Sequence, residues 1–132
     1  MKKKVKSSSL DFEITFYERL VKDNPYFIDA LIPLADAYTK VGKFKKGLAI
    51  DKKLARLKQH DPMIFYNLAC SYSLLNMARE AFKALRKAIS LGYADLRYLQ
   101  HDPDLEYIHQ DSQFKEIEKL IKKRESLPKK RY

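Results

Sequence analysis

The sequence predicts an all-α protein of helical hairpins stacked side by side, and three observations carry that prediction. ALIPLADAY (30–38) and IFYNLACSY (64–72) superimpose at an offset of 34 residues, with Leu31 on Phe65, Leu34 on Leu68, Ala35 on Ala69, Ala37 on Ser71 and Tyr38 on Tyr72. Within each segment the apolar residues recur at three and four positions, which places them on one helical face. Pro25, Gly42, Pro62 and Gly92 fall where such segments begin and end, as helix starts and stops require. A hairpin of this kind leaves part of its apolar face uncovered, and stacking against a neighbour covers it.

Taken in order, Ser8 or Ser9 caps a first helix over about 10–22, with Phe12, Phe16, Leu20 and Val21 as its apolar side. Asn24-Pro25 starts a second helix that runs to about Lys40. Pro33 lies inside it, removes one backbone hydrogen bond and kinks the axis unless the helix starts nearer Asp29. A third helix spans 44–58, and Asp61-Pro62 opens a fourth that runs to Leu75. After a turn at Asn76-Met77, a fifth helix spans 78–91. Its small residues Ala81, Ala84 and Ala88 answer the small residue at 35 or 69, while Phe82, Leu85 and Ile89 supply bulk. A third unit is broken. The position 34 beyond Ala69 is Pro103, and a proline deep in a helix costs about 3 kcal/mol. The chain is expected instead to form a short helix over 94–100, a turn from Asp102-Pro103 through Tyr107, and a final helix to about Arg124. Asp111 or Ser112 caps that helix, and Phe114, Ile117, Leu120 and Ile121 form its apolar face.

The 34-residue period, with the spacing aromatic or Leu, two residues, Leu-small, two residues, Tyr, resembles the first helix of the tetratricopeptide repeat. Ala81, Leu85 and Ala88 occupy the small, large and small positions of its second helix. In the first unit Gly47, Asp51 and Leu54 depart from that pattern, so its hairpin must pack with a different spacing. The stretch LGYADLRYLQHDPDLEYIHQDSQFKEI is similar to the irregular ending that often closes such arrays. The resemblance covers residues 10 to about 123 and implies a right-handed α-α superhelix of about six to eight helices. The expected division is a basic tail (1–9), a helical domain (10–124) and a second basic tail (125–132). Within the domain come a flanking helix (10–24), two repeats (25–61 and 62–93) and a degenerate capping unit (94–124).

The formal charge of +10 suggests nucleic acid until it is divided along the chain. Residues 1–9 carry +4 and 119–132 carry +6, so the body between them is neutral. Within the body, 40–58 holds a local +7 against −4 over 10–39 and −5 over 95–118. A single cysteine, no apolar leader after the basic start and no run of about 20 apolar residues lead us to expect a cytoplasmic protein without a transmembrane segment.

No glycine-rich phosphate loop and no hydrolase or calcium-loop motif appears, so no catalytic residue, cofactor or metal is expected. QHDP occurs twice, at 59–62 and 100–103, and pairs a histidine with an aspartate each time. Each aspartate precedes a helix start, where its carboxylate can accept orphan backbone N–H groups. Capping is therefore the expected role, and neither copy is expected on the working surface.

The resemblance implies a concave groove lined by first helices. By position it assigns Asp29, Ile32, Asp36 and Thr39 of one unit to the groove, with Met63, Tyr66, Asn67, Cys70 and Leu74 of the next, and Arg97 beyond them. Asn67 matches an asparagine that holds the backbone of bound peptides in many family members. Ile32 and Asp36 replace the lysine and asparagine of a two-carboxylate clamp, which argues against a chaperone tail ending in Glu-Glu-Val-Asp. The implied function is a non-enzymatic adaptor that binds a peptide or protein surface, with weak self-association through uncovered ends also open. The alternative is RNA or an anionic membrane held by the basic tails and the basic 40–58 helix.

Overall fold

The computed structural model describes residues 7–125, and among these the chain is all-helical, with short turns and no strand. The lysine-rich ends at 1–6 and 126–132 lie outside the described residues. The helices are α1 (Ser7–Asp23), α2 (Ile28–Lys40), α3 (Phe44–Leu57), α4 (Pro62–Leu74) and α5 (Ala78–Ser90). Three shorter elements and a longer helix follow: α6 (Leu96–His101), a 3-10 turn (Pro103–Leu105), α7 (Glu106–His109) and α8 (Gln113–Glu125).

The 34-residue offset seen in the sequence is also an offset of backbone. α2 and α4 begin and end in register, and their terminal turns repeat. Lys43 N donates to Tyr38 O at 2.8 Å, and Met77 N donates to Tyr72 O at 2.9 Å. These are the long closing bonds of a helix end that passes through a left-handed residue. That residue is Gly42 (φ 83) in the first unit and Asn76 (φ 60) in the second. Asparagine tolerates this conformation better than other residues with a side chain.

Packing runs from each helix to the next, α1 on α2 through α4 on α5, and α8 then closes against α5. At the α4–α5 seam Ala69, Ala81 and Ala88 are fully buried, and their small side chains let the axes approach, while Phe82 and Leu85 fill the flanks. In the first unit Gly47 stands where Ala81 stands in the second. A Cβ at Gly47 would lie 3.0 Å from Thr39 Oγ1 and 3.6 Å from Ala35 O, so α3 sits closer to α2 than a side chain there would comfortably allow.

Three details near the start depart from the sequence reading. α1 is helical from Ser7, so Ser8 and Ser9 lie within it rather than capping it. Its buried side is Leu10 and Ile14, with Tyr17 and Val21 half-buried against Leu34, Ala37 and Tyr38 of α2. Phe12 (74% exposed) and Phe16 point away. Leu10-Ile14-Tyr17-Val21 and Phe12-Phe16-Leu20 are both helical stripes, and docking on α2 selects the first. α2 begins at Ile28 and not at Asn24-Pro25. Asn24 instead makes a turn, accepting from Phe27 N at 3.1 Å and, through its side chain, from Tyr26 N at 3.3 Å. Proline disfavours the helical region for the residue before it, which keeps Asn24 out of the helix. Pro33 is inside α2, and the start at Ile28 is the start near Asp29 that the sequence left open as the alternative to a kink.

The third unit breaks at Asp102-Pro103, also as expected. Asp95 caps α6 by accepting from Tyr98 N at 3.0 Å, which moves the start of this helix past Ala94. Leu99, Leu105, Ile108, Phe114, Ile117 and Ile121 are buried and join the α4–α5 core, so the irregular segment and α8 cover its open end. His109 Nε2 lies 3.0 Å from Leu99 O, tying α7 to α6.

Candidate functional site

A cavity of about 400 Å³ opens between α2, α3 and α4 and is closed on one side by the irregular C-terminal segment. α2 contributes Ile32, Asp36 and Thr39, and α4 contributes Met63, Tyr66, Asn67, Cys70 and Ser71. Asp51 and Leu54 of α3 form part of its lining, with Tyr98, Asp102 and Asp104 from the closing segment.

The closing side is held by one aspartate. Asp102 Oδ1 accepts from Asp104 N at 2.9 Å and so caps the 3-10 turn, the role expected of it. Its Oδ2 accepts from Tyr66 Oη at 2.7 Å and from Cys70 Sγ at 3.7 Å, a role that a sequence motif does not show. The Tyr66 ring stacks on Tyr93 at 4.5 Å between centroids, with Tyr98 tilted against it at 5.9 Å. A buried carboxylate is tolerated only when hydrogen-bonded, and these donors meet that need. Burial first, then the neighbouring Cys70 and Asp102, push the Tyr66 hydroxyl far above its usual range. Burial and the charges of Asp102 and Asp104 likewise push up the Cys70 thiol, so it stays a protonated donor rather than a nucleophile. The sulfur of Cys70 and oxygens of Asp102 and Asp104 lie within 4.8 Å of one another, and within that group the Cys70 thiol donates to Asp102.

Asp51 is a different kind of acid. It is 5% exposed, accepts a short hydrogen bond from Ser71 Oγ, and pairs with no cation among the described residues. Burial raises its carboxyl to about 6, Ser71 opposes the rise and the charge of Asp36 adds to it. Asp36 pairs with Lys40 at 2.8 Å, one turn along α2 and on the surface.

Seven of the residues assigned to a groove meet at this cavity: Ile32, Asp36, Thr39, Met63, Tyr66, Asn67 and Cys70. They do not present themselves equally. Ile32 (40% exposed), Met63 (48% exposed), Asp36 and Asn67 face solvent, whereas Tyr66 (2% exposed) and Cys70 are covered by the closing segment. That segment brings Asp102 against α4, which removes both from the open surface. Asp29 and Leu74 stand outside the cavity, and Arg97 lines an adjoining hollow with Asp95, Tyr98 and His101. The sequence reading missed Asp51, Ser71, Tyr98, Asp102 and Asp104. Asp51 had left a signal, as an acid where the repeat pattern expects an aromatic residue. Asp102 had been placed away from the working surface, and the structure sets it in the cavity wall.

Asp61, Asp111 and His101, also singled out in the sequence, have local partners. Asp61 caps α4 by accepting from Met63 N at 2.9 Å, and Asp111 Oδ1 accepts from Gln113 N at 2.9 Å where α8 begins. His101 Nδ1 lies 2.9 Å from Arg97 O on its own helix, and His60 is exposed beside Asp61. Three lysines of the basic α3 lie over aromatic rings of the protein itself: Lys46 over Tyr38, Lys52 over Tyr72 and Lys53 over Tyr26, at 4.9–5.9 Å. No described helix is long and apolar enough to cross a membrane.

No family model matches the chain. A curated relative, a chloroplastic protein of Arabidopsis thaliana, is 31% identical over 80 residues, which is 58% of this chain and 24% of that protein. The chain therefore spans about a quarter of that relative's length. Among solved structures, a double mutant of MamA RS-1 aligns with a TM-score of 0.69 at 18% identity, covering 91% of this chain and 70% of the other. A 41-end form of MamA from Desulfovibrio magneticus RS-1 aligns at 0.66 and 18% identity, over 89% and 70% of the two chains. MamA is a tetratricopeptide-repeat protein, and the shared architecture is the one the 34-residue register predicts. The fold of this chain is thus a tetratricopeptide-like array of helical hairpins.

Proposed function

We propose that the protein is a non-enzymatic interaction scaffold that holds a peptide segment of a partner protein in the cavity between α2 and α4. One observation carries this reading: on that face Ile32 and Met63 expose apolar surface beside the polar groups of Asp36 and Asn67, around a cavity large enough for a side chain. Exposed apolar residues interspersed with polar ones are the composition of a recognition surface. Asn67 offers an amide that can both donate to and accept from a peptide backbone. The burial of Cys70 and its raised thiol leave that sulfur unactivated as a nucleophile.

The test uses exposed residues, because Tyr66 supports the closing segment and its loss would disturb the fold. Tagged protein is incubated with extract of its own cells as wild type, as Met63→Glu/Asn67→Ala, and as Arg86→Ala on α5 away from the cavity. Loss of one or more partners with the cavity variant alone is the expected outcome. An identical partner set for all three proteins would refute the groove reading.

A further inference from the structure

We propose that the cavity receives the side chain of a lysine or arginine presented by an extended segment of a partner protein, with the alkyl stem against Ile32 and Met63 and the cationic head at Asp51. This inference rests on the groove reading above and gives its partner a chemistry.

Charge supplies the first argument. Four aspartates line the cavity, namely Asp36, Asp51, Asp102 and Asp104, and the lining includes no lysine, arginine or histidine. Asp102 accepts from Tyr66, Cys70 and the Asp104 amide, and Asp36 pairs at the surface with Lys40. Asp51 differs from both. It is buried to more than nine-tenths, it opens on the cavity, and the hydrogen bond it accepts comes from the uncharged Ser71 hydroxyl. Burying a carboxylate without a counter-charge is costly, and a cation delivered from the cavity side recovers part of that cost.

Shape supplies the second argument. The cavity lining includes Ile32, Met63 and Leu54 beside its acids, and such mixed walls suit a chain of methylenes that ends in a charge. Lysine and arginine are apolar along their length and charged at the tip, and the volume of about 400 Å³ accommodates one such side chain. Asn67 at the mouth is placed to bond the backbone that carries it.

The test measures the full chain by fluorescence polarisation against pools of labelled nine-residue peptides, random except for a fixed centre of Lys, Arg, norleucine, Gln or Glu. The Lys and Arg pools are expected to bind about tenfold or more tighter than the norleucine pool, as one charge-assisted contact implies. Asp51→Asn, which keeps the size and the Ser71 contact, is expected to remove that preference, so that its Lys, Arg and norleucine pools bind alike. If no pool binds, the groove reading itself fails. If pools bind but norleucine or Glu matches Lys, the groove reading stands and this inference is overturned. A Lys preference that survives in Asp51→Asn also overturns it. So does a gain of tenfold or more on deleting residues 1–6 or 126–132, because the occupant would then be the chain's own lysine-rich end. Thermal unfolding of Asp51→Asn confirms that the variant is folded.

Discussion

Ile32 and Asp36 of α2 sit 34 residues before Tyr66 and Cys70 of α4, at equivalent places on helices whose ends coincide. The first pair is exposed, whereas the second is buried beneath Asp102 and the tyrosines of the closing segment. The second helices differ the other way. Leu85 on α5 is fully buried in an apolar seam, and its equivalent on α3 is Asp51, an acid buried beside an open cavity. One unit is thus finished as core and the other is left unfinished, with an uncovered face and a charge beneath it. A repeat conserves backbone, while the residues at equivalent positions decide which copy is packed and which is left open to a ligand.

The largest expected effect breaks the packed copy. Leu85→Ala removes a fully buried side chain from the α4–α5 seam and is expected to cost about 3 kcal/mol in urea unfolding. An effect below about 1 kcal/mol would mean the second unit is no better packed than the first.

Next comes the acid at the matching position, with the opposite sign. The Asp51 carboxyl is raised from 3.8 to about 6 in the folded protein, so the folded state binds its proton more tightly than the unfolded state. Its protonated form is compatible with burial at low pH, and stability falls as pH rises from about 4 through about 6. The loss from this group is on the order of 3 kcal/mol by linkage. Asp51→Asn is expected to be the more stable protein above pH 6, with the difference from wild type shrinking towards pH 4. Thermal melts across that range check it, and a constant difference would remove the claim of an uncompensated charge.

The covered face of α4 is tested by Tyr66→Phe, which leaves Asp102 short of one donor in a buried place. A loss of about 1–2 kcal/mol is expected, with faster hydrogen exchange of the amides around 99–105. Uniform exchange would mean that the Tyr66–Asp102 bond does not hold the closing segment down. The smallest effects sharpen the equivalence of the two hairpin turns. Gly42→Ala should destabilise by about 1 kcal/mol, and Asn76→Gly should stabilise by less than that, since both positions are left-handed and only one now carries a glycine.

Much of this was legible in the chain. The register of α2 with α4 followed from matching small and large residues, and the break at Pro103 from the missing amide hydrogen of proline. The buried side of α1 was not legible, because Leu10-Ile14-Tyr17-Val21 and Phe12-Phe16-Leu20 are both good helical stripes and the contact with α2 chooses between them. The candidate site was half legible. The resemblance to the tetratricopeptide repeat brought Ile32, Asp36, Met63 and Asn67 to one face, but it also placed Tyr66 and Cys70 there, and nothing local indicates that a segment more than thirty residues on will cover them.

What the sequence by itself determined is the local and periodic part of the protein: helices from apolar spacing, ends from Pro, Gly and Asp, and the repeat from the 34-residue offset. These depend on neighbours within a few residues or on a pattern that survives translation along the chain. Only the tertiary structure decided what each equivalent position became. Asp102 looked like a cap and also turned out to be the acceptor for Tyr66, 36 residues away. Asp51 looked like a departure from a pattern and became a buried charge at the edge of a cavity. Burial and partner choice are set by contacts between segments remote in sequence, and in an array that breaks its own repeat no period carries that information.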